Sequence, residues 1–181
     1  MTISEHSPFQ VMAYCPRCGS FGFEYDNEKK LSCKSCGFNL YINMSSAVAA
    51  IIRNEKDEIL FTIRKFEPGA GLLDLPGGFV DLGETAEHAL DREIMEELNL
   101  KIIDRQYYGS FPNQYLYGEI IYHTLDLIFT CAIESFLCLK AADDVSAYVF
   151  RNPSSVKPEE IGLDSIRQII KKVSGKMIQG L

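Results

Sequence analysis

A chain of 181 residues, 46% apolar and 24% charged, suits one domain of ordinary size with a small appendage, and its composition is that of a globular rather than a disordered protein. Its formal net charge of -7 excludes a broad, counterion-releasing grip on nucleic acid and argues against a nucleic-acid partner, while leaving room for a local basic patch around an anionic substrate. The first ten residues contain no apolar stretch, and no apolar run approaches the ~18 residues of a membrane span, so a cytoplasmic protein with no membrane attachment is expected.

Four of the six cysteines form two pairs, Cys15-Pro-Arg-Cys18-Gly19 and Cys33-Lys-Ser-Cys36-Gly37, with fourteen residues between them. In each knuckle a tight turn aims both thiolates at one ion, and the glycine after the second cysteine permits the positive φ that such a turn needs. Four sulfurs with no fifth ligand make a closed tetrahedral site. Cys15, Cys18, Cys33 and Cys36 are therefore expected to hold structural Zn²⁺ in a ribbon spanning residues 10–40. Two disulfides are the rival pairing, which a reducing compartment disfavours. Between the knuckles, Phe21 to Tyr25 and Leu31 read as a short hairpin with its turn at Asp26 to Lys30. So small a module buries little apolar surface, and the ion should supply most of its stability. Cys131 and Cys138 lie in strand-like apolar runs and read as core residues.

A second domain is expected over residues 44–176. Ser45 to Ile52 and Glu58 to Arg64 are apolar runs around the polar turn Asn54 to Asp57, the pattern of a hairpin. Lys101 to Tyr108, Ile120 to Ile133 and Tyr148 to Arg151 are further strands. Helices are expected over Thr85 to Leu98 and over Pro158 to Val173, the second opening with Pro158-Glu159-Glu160 and closing near Lys171 and Lys172.

The segment from Gly78 to Leu100 carries the chemistry. It runs from a glycine turn through Gly83-Glu84 to a helix bearing Arg92-Glu93 and Glu96-Glu97. At about 100° per residue, Glu93, Glu96 and Glu97 fall within an arc of roughly 100°, beside the apolar stripe of Leu90, Ile94 and Leu98. Acidic groups gathered at one place repel unless a cation neutralises them, so the segment reads as a divalent-metal site.

This segment resembles the Nudix box, G-x5-E-x7-R-E-U-x-E-E-x-G-U with U apolar, and departs from it only in having Asn99 where the family has glycine. Asn is the best substitute for glycine at a left-handed helix end, so the departure should cost a few tenths of a kcal/mol and leave the chemistry untouched. The resemblance implies an α/β fold, a Nudix α/β/α sandwich with a mixed sheet, here preceded by the ribbon. It implies Mg²⁺ or Mn²⁺ held by the Gly77 carbonyl, Glu93, Glu96 and Glu97, with Glu84 supporting them or holding an additional ion. Arg92 is expected to orient the carboxylates through a planar pairing. The general base is Glu93 or a carboxylate from a later loop, for which Asp144, beside Asp143, is the candidate. The implied reaction is hydrolysis of a phosphoanhydride in a nucleoside diphosphate linked to another group.

A ribbon followed by this box is similar to the NADH pyrophosphatase group, whose ribbon-bearing members often pair as homodimers, which makes a homodimer an expectation for this chain. That group's downstream signature, S-Q-P-W-P-F-P-x-S, is not kept: this chain has Gly109-Ser-Phe-Pro-Asn-Gln-Tyr-Leu-Tyr-Gly118. Phe111, Tyr115, Tyr117 and Tyr107 are candidates to stack on a base, with core packing as the competing role. Arg64 and Lys65 are candidate phosphate contacts, with an ordinary surface role as the alternative. NADH and ADP-ribose head the expected small-molecule nucleotide substrates. The alternative function is a non-catalytic nucleotide sensor, or a docking module that uses its ribbon for a protein or RNA partner.

Overall fold

The computed structural model describes residues 5–25 and 30–175. Most of the turn expected at Asp26 to Lys30, and the expected domain end at residue 176, lie outside the described residues. The chain divides into two compact units. The first holds residues up to Met44 together with Gln114–His123; the second holds Ser45–Asn113 and the residues from Thr124 onward.

In the first unit a single helical turn, α1 (Pro8–Val11), precedes three short strands, β1 (Phe23–Tyr25), β2 (Lys30–Cys33) and β3 (Asn39–Tyr41). They pair antiparallel in the order β1-β2-β3, with Phe23 opposite Cys33 and Leu31 opposite Leu40. Each knuckle closes as a turn, Gly19 N donating to the Cys15 carbonyl at 2.8 Å and Gly37 N to that of Cys33 at 2.9 Å, with both glycines at φ 71°.

The second unit is built from β4 (Ser45–Ile52), β5 (Ile59–Arg64), β6 (Leu73–Asp74), α2 (Ala86–Leu98), β7 (Ile102–Tyr117), β8 (Ile120–Ile133), β9 (Val145–Arg151) and α3 (Asp164–Val173), the tip of the β7–β8 hairpin belonging to the first unit. One sheet has the order β4-β8-β7, with β4 and β8 parallel; the other, antiparallel, has the order β6-β5-β9. Strand alternation sorts the core into two clusters. Val48, Ala50, Ile52, Leu60 and Phe129 pack with Ala89, Leu90, Ile94 and Leu98 of α2. Ala49, Ile51, Ile59, Phe61 and Ile128 pack with Ile166, Ile169 and Ile170 of α3. Strands lined by a helix on either face form the α/β/α sandwich.

Four sequence expectations are corrected here. The runs around Asn54 to Asp57 do turn, with Asn54 N donating to the Glu58 carbonyl at 3.0 Å, but they share one bridge, Arg53 to Ile59, and then part into different sheets. The helix expected from Pro158 is split. Pro158–Glu160 is a 3₁₀ turn closed by Lys157 N donating to Glu160 Oε2 at 2.8 Å, and Ile161 bridges to Leu73 in parallel before α3 begins. Gly162 N donates to the Leu73 carbonyl at 3.0 Å, so this stretch prefers the sheet edge to a helical turn. The strand expected to end at Tyr108 continues to Tyr117, and Pro112 is tolerated because β7 is an edge strand. Cys131 is buried, but Cys138 is exposed in a turn beyond the end of β8.

Candidate active site

After β6 the chain runs antiparallel along β4. Ala50 N donates to the Pro76 carbonyl at 2.9 Å, Val48 N to that of Gly78 at 2.8 Å, and Val80 N to that of Ser46 at 3.0 Å. The approach is close enough to demand glycine at position 77: at φ 144°, a Cβ there would lie 2.1 Å from the Val48 carbonyl oxygen. At Gly78 a Cβ would lie 2.4 Å from Glu93 Oε1, so the missing side chain is what lets the Glu93 carboxylate settle on the loop.

Thr85 caps α2 by accepting from His88 N at 3.2 Å. Asn99 ends it in the left-handed region at φ 53°, ψ 40°, and its side-chain amide donates to the Cys138 carbonyl at 3.0 Å. Along the exposed edge of this helix Arg92 organises the carboxylates. Its Nε and Nη2 donate to the two oxygens of Glu84, each at 2.9 Å; Nη1 donates to Glu93 at 2.9 Å and to Glu96 at 3.1 Å; Nη2 also reaches the Phe79 carbonyl at 3.1 Å. The hydrogen bonds from Arg92 hold Glu84 down to about 2, well below the usual carboxylate range.

Glu97 points elsewhere. It is 7% exposed, and its Oε2 accepts from Gly77 N at 2.9 Å. Burial pushes its pKa up to about 8; the Gly77 hydrogen bond opposes that rise, and the charges of Glu93, Asp74 and Asp144 add to it. Burial also raises Glu93, against the pull of Arg92, with Glu96 and Asp143 contributing. The three helix carboxylates thus share a region without meeting at a point. Among the described residues, the four cysteines are the only group of three or more such side chains whose ligand atoms all lie within 4.8 Å of one another.

The loop before β9 is tied to the end of α2 by Ala142 N donating to the Glu97 carbonyl at 2.9 Å. Asp143 and Asp144 are exposed on it, near enough to act on Glu93 and Glu97 respectively, and their main-chain carbonyls accept from Lys65 Nζ and Lys65 N, each at 3.0 Å. Asp74 was not singled out in the sequence. It is a buried carboxylate whose charge reaches Glu97, and its signal was an acid set between Leu73 and Leu75 just before Pro76-Gly77-Gly78.

The candidate substrate contacts are scattered. Arg64 is engaged inside its own unit, paired with the Asp74 carboxylate and donating to the Pro68 carbonyl at 2.6 Å, with its stem against Gly69 and Gly162. Phe111 is 9% exposed and belongs to the core cluster, with the ring of Tyr108 and the ammonium of Lys172 against it. Tyr107 is exposed and meets Phe129 edge-on. Tyr115 stacks on Tyr122 with ring centroids 5.8 Å apart, and Tyr117 meets Tyr122 edge-on, all three on the hairpin tip of the first unit.

In the ribbon, Cys15 Sγ lies 3.8 Å from Cys36 Sγ, and Cys18 Sγ lies 3.7 Å from Cys33 Sγ. Disulfide bonding needs about 2.05 Å, whereas sulfurs at ~2.3 Å from one tetrahedral zinc stand about 3.8 Å apart. The spacing fits a metal and leaves all four thiols unbridged.

Residues 44–173 match the family model described as NUDIX domain. This chain belongs to the NUDIX family. Among curated proteins it is similar to the NAD-capped RNA hydrolase NudC of Haemophilus influenzae strain PittGG, with 31% identity over 110 residues, covering 58% of this chain and 42% of that protein. The corresponding protein of Pseudomonas aeruginosa strain LESB58 is 28% identical over 120 residues, covering 60% of this chain and again 42% of the relative. This NUDIX chain therefore spans about two fifths of the length of these relatives. The activity these relatives are named for involves an RNA, so the expectation against a nucleic-acid partner, drawn from net charge, finds no support in them. Among solved structures, a NUDIX hydrolase from Nitrosomonas europaea aligns with a TM-score of 0.64 at 18% identity over 91% of this chain and 92% of that one. A MutT NUDIX hydrolase from Burkholderia pseudomallei aligns at 0.61 and 22%, over 73% of this chain and 99% of that one. At these identities the structural likeness speaks for the fold.

Proposed function

We propose that this chain is a divalent-metal-dependent pyrophosphohydrolase acting on a nucleoside diphosphate linked to a second group, with NADH-like dinucleotides and ADP-ribose-like compounds as its substrates. The observation that carries this reading is the carboxylate face of α2. Glu97 is buried and Glu93 half-buried beside Asp144 and Asp143, and their raised pKa values mark mutual repulsion and burial that a hard cation would relieve. Glu93, Glu96, Glu97 and the Gly77 carbonyl offer the oxygen donors that Mg²⁺ or Mn²⁺ prefers. When bound, such an ion spreads the charge developing on the two phosphates and lowers the pKa of an attacking water.

The chain's own residues divide the remaining work. Arg92 is a positioning residue: locked by Glu84, it holds Glu93 and Glu96 in place with two donors in one plane. Glu93 or Asp144 accepts the proton of the attacking water. In the ribbon the four thiolates hold Zn²⁺, which closes that unit. The NudC relatives support a dinucleotide-type substrate, and the same diphosphate at the end of an RNA belongs to the same chemical class.

The test is a panel of NADH, NAD⁺, ADP-ribose, a diadenosine polyphosphate, an NAD-capped RNA oligonucleotide and nucleoside triphosphates, each with Mg²⁺ or Mn²⁺. Release of two nucleoside monophosphates from a dinucleotide is expected, with none after chelation of the ion. No product from any compound would overturn the proposal in favour of a nucleotide sensor.

A further inference from the structure

Asn113 is 4% exposed, and among the described residues neither its Nδ2 nor its Oδ1 has a hydrogen-bond partner. Keeping a bare carboxamide inside a fold is costly, so its persistence points to something it serves. Strand β8, which pairs with β7, carries buried polar side chains of its own. Thr124, 2% exposed, donates from its hydroxyl to Asp126 Oδ1 at 2.7 Å, and Ser165, 0% exposed, donates to the other oxygen, Oδ2, at 2.5 Å. Asn113 joins this group by register. β7 and β8 are neighbours that meet at Tyr117 and Ile120, and counting four residues from each places Asn113 opposite Thr124. Across β8, Thr124 and Asp126 pair with Ser45 and Ala47 of β4, the first exposed and the second half-buried. Two short side chains therefore flank the polar row where it approaches the surface.

The hydrogen-bonding capacity is lopsided. Asp126 takes both hydroxyl protons, which among the described residues leaves oxygen lone pairs on Thr124, Ser165 and Asp126 without further side-chain donors. Asn113 adds an amide NH2, with two donor hydrogens, and a carbonyl acceptor beside it. An anionic, acceptor-rich group of this kind rejects phosphate and suits a neutral planar group whose amino hydrogens sit next to an acceptor, the pattern by which Asn reads adenine. Ala47 also bridges, on its other side, to Phe79, the residue after Gly78. The polar row is thus one strand away from the glycine loop of the proposed metal site.

We propose that Asn113, Thr124 and Asp126 form a specificity subsite for the amino-bearing edge of the substrate's heterocycle. The proposal rests on the dinucleotide reading above and names the group that this chain recognises there. Two rings carry that edge, adenine through its 6-amino group and nicotinamide through its carboxamide, and the test separates them.

Steady-state kinetics of the full chain would compare NAD⁺, its hypoxanthine analogue, which has a 6-oxo group in place of the amine, and its 3-acetylpyridine analogue, which has a methyl in place of the amide nitrogen. Wild type should disfavour one of the two analogues by at least ~10-fold in kcat/KM. Asn113→Leu and Thr124→Val should each abolish that discrimination, raising KM for NAD⁺ by about 10-fold with kcat within about twofold. The melting temperature of Asn113→Leu should not fall, because the substitution removes an unpaired polar group instead of a bonded one. Equal treatment of all three dinucleotides by wild type would overturn the subsite, as would unchanged discrimination in either folded variant. If wild type hydrolyses none of them, calorimetric binding decides. NAD⁺ binding that weakens at least ~10-fold in Asn113→Leu keeps the subsite and sinks only the hydrolase reading, whereas no binding sinks both.

Discussion

Among the described residues the ribbon encloses Cys15, Phe23, Leu31 and Cys33 as its buried apolar set, whereas the larger unit carries clusters of thirteen and eleven buried residues on the two faces of its strands. Two of the ribbon's four are themselves metal-ligand candidates, so most of what would hold it shut is the proposed ion. In the larger unit burial alone suffices, and two of its metal-ligand candidates, Glu93 and Glu97, lie at the margin of the core, where burial makes them reluctant anions. A metal thus has opposite tasks in the two units: it would build the first and relieve the second.

The sharpest way to break that contrast is to remove the zinc. Structural zinc is worth on the order of 10 kcal/mol in small modules, so Cys33→Ser should abolish the ribbon's fold. Metal analysis should find about one zinc per chain in wild type. Hydrogen exchange should show the amides of Lys30–Cys33 losing all protection in the variant while those of Ile59–Arg64 keep theirs. A zinc-free protein with Lys30–Cys33 still protected would remove the distinction.

For the larger unit, Glu97→Gln should lower turnover by more than ~10²-fold, because it deletes a charge proposed to hold the catalytic ion. It should also leave the protein more stable at high pH. The folded-state pKa of Glu97 is raised from 4.5 to about 8, so between those values the folded chain keeps a proton that the unfolded chain has released. Stability therefore falls as pH rises through that window. The glutamine variant should lack this share of the slope and melt above wild type at pH 8 and beyond. Thermal melts across pH read this directly, and added Mg²⁺ should raise the wild type and spare the variant.

Paired glycine substitutions sharpen the comparison between core and site within the same loop. Gly77→Ala drives a Cβ into the Val48 carbonyl of β4, a backbone atom that cannot step aside, and should cost more than ~2 kcal/mol in chemical denaturation. Gly78→Ala meets the end of the Glu93 side chain, which can turn away. Its stability should stay within about 1 kcal/mol of wild type while turnover drops about 10-fold. Equal destabilisation by both would show that the loop serves only as packing against β4.

What could be read in advance follows the range of the forces involved. The box helix was legible because its caps, its apolar stripe and its acids all lie within one segment, and β8 because β-branched and aromatic residues fill one continuous stretch. Partners distant in sequence were not. Arg64 looked like a phosphate contact because its counter-ion, Asp74, is brought to it only by the pairing of β5 with β6. Phe111 looked like a stacking platform because inward and outward positions cannot be told apart in an edge strand broken by Gly109 and Pro112. Pro158-Glu159-Glu160 carried a correct start signal that a 3₁₀ turn satisfies as well as a helix does. The orphaned Asn113 has no sequence signal at all, since its burial is a property of the assembled face.

The smallest expected effect concerns the one departure from the box. Asn99 adopts the left-handed conformation that a glycine would take more readily, so Asn99→Gly removes a backbone strain of a few tenths of a kcal/mol. The same change deletes the side-chain bond to the Cys138 carbonyl, a neutral hydrogen bond at the surface worth about 0.5–1 kcal/mol. The two terms nearly cancel, and the glycine variant should fall within about 0.5 kcal/mol of wild type with unchanged turnover. Asn99→Ala loses the bond and also forces a Cβ into the left-handed region, at about 1–2 kcal/mol. Denaturation of the two variants side by side separates conformation from bonding: a glycine variant as unstable as the alanine one would place the whole of Asn99's contribution in its contact with the Cys138 turn.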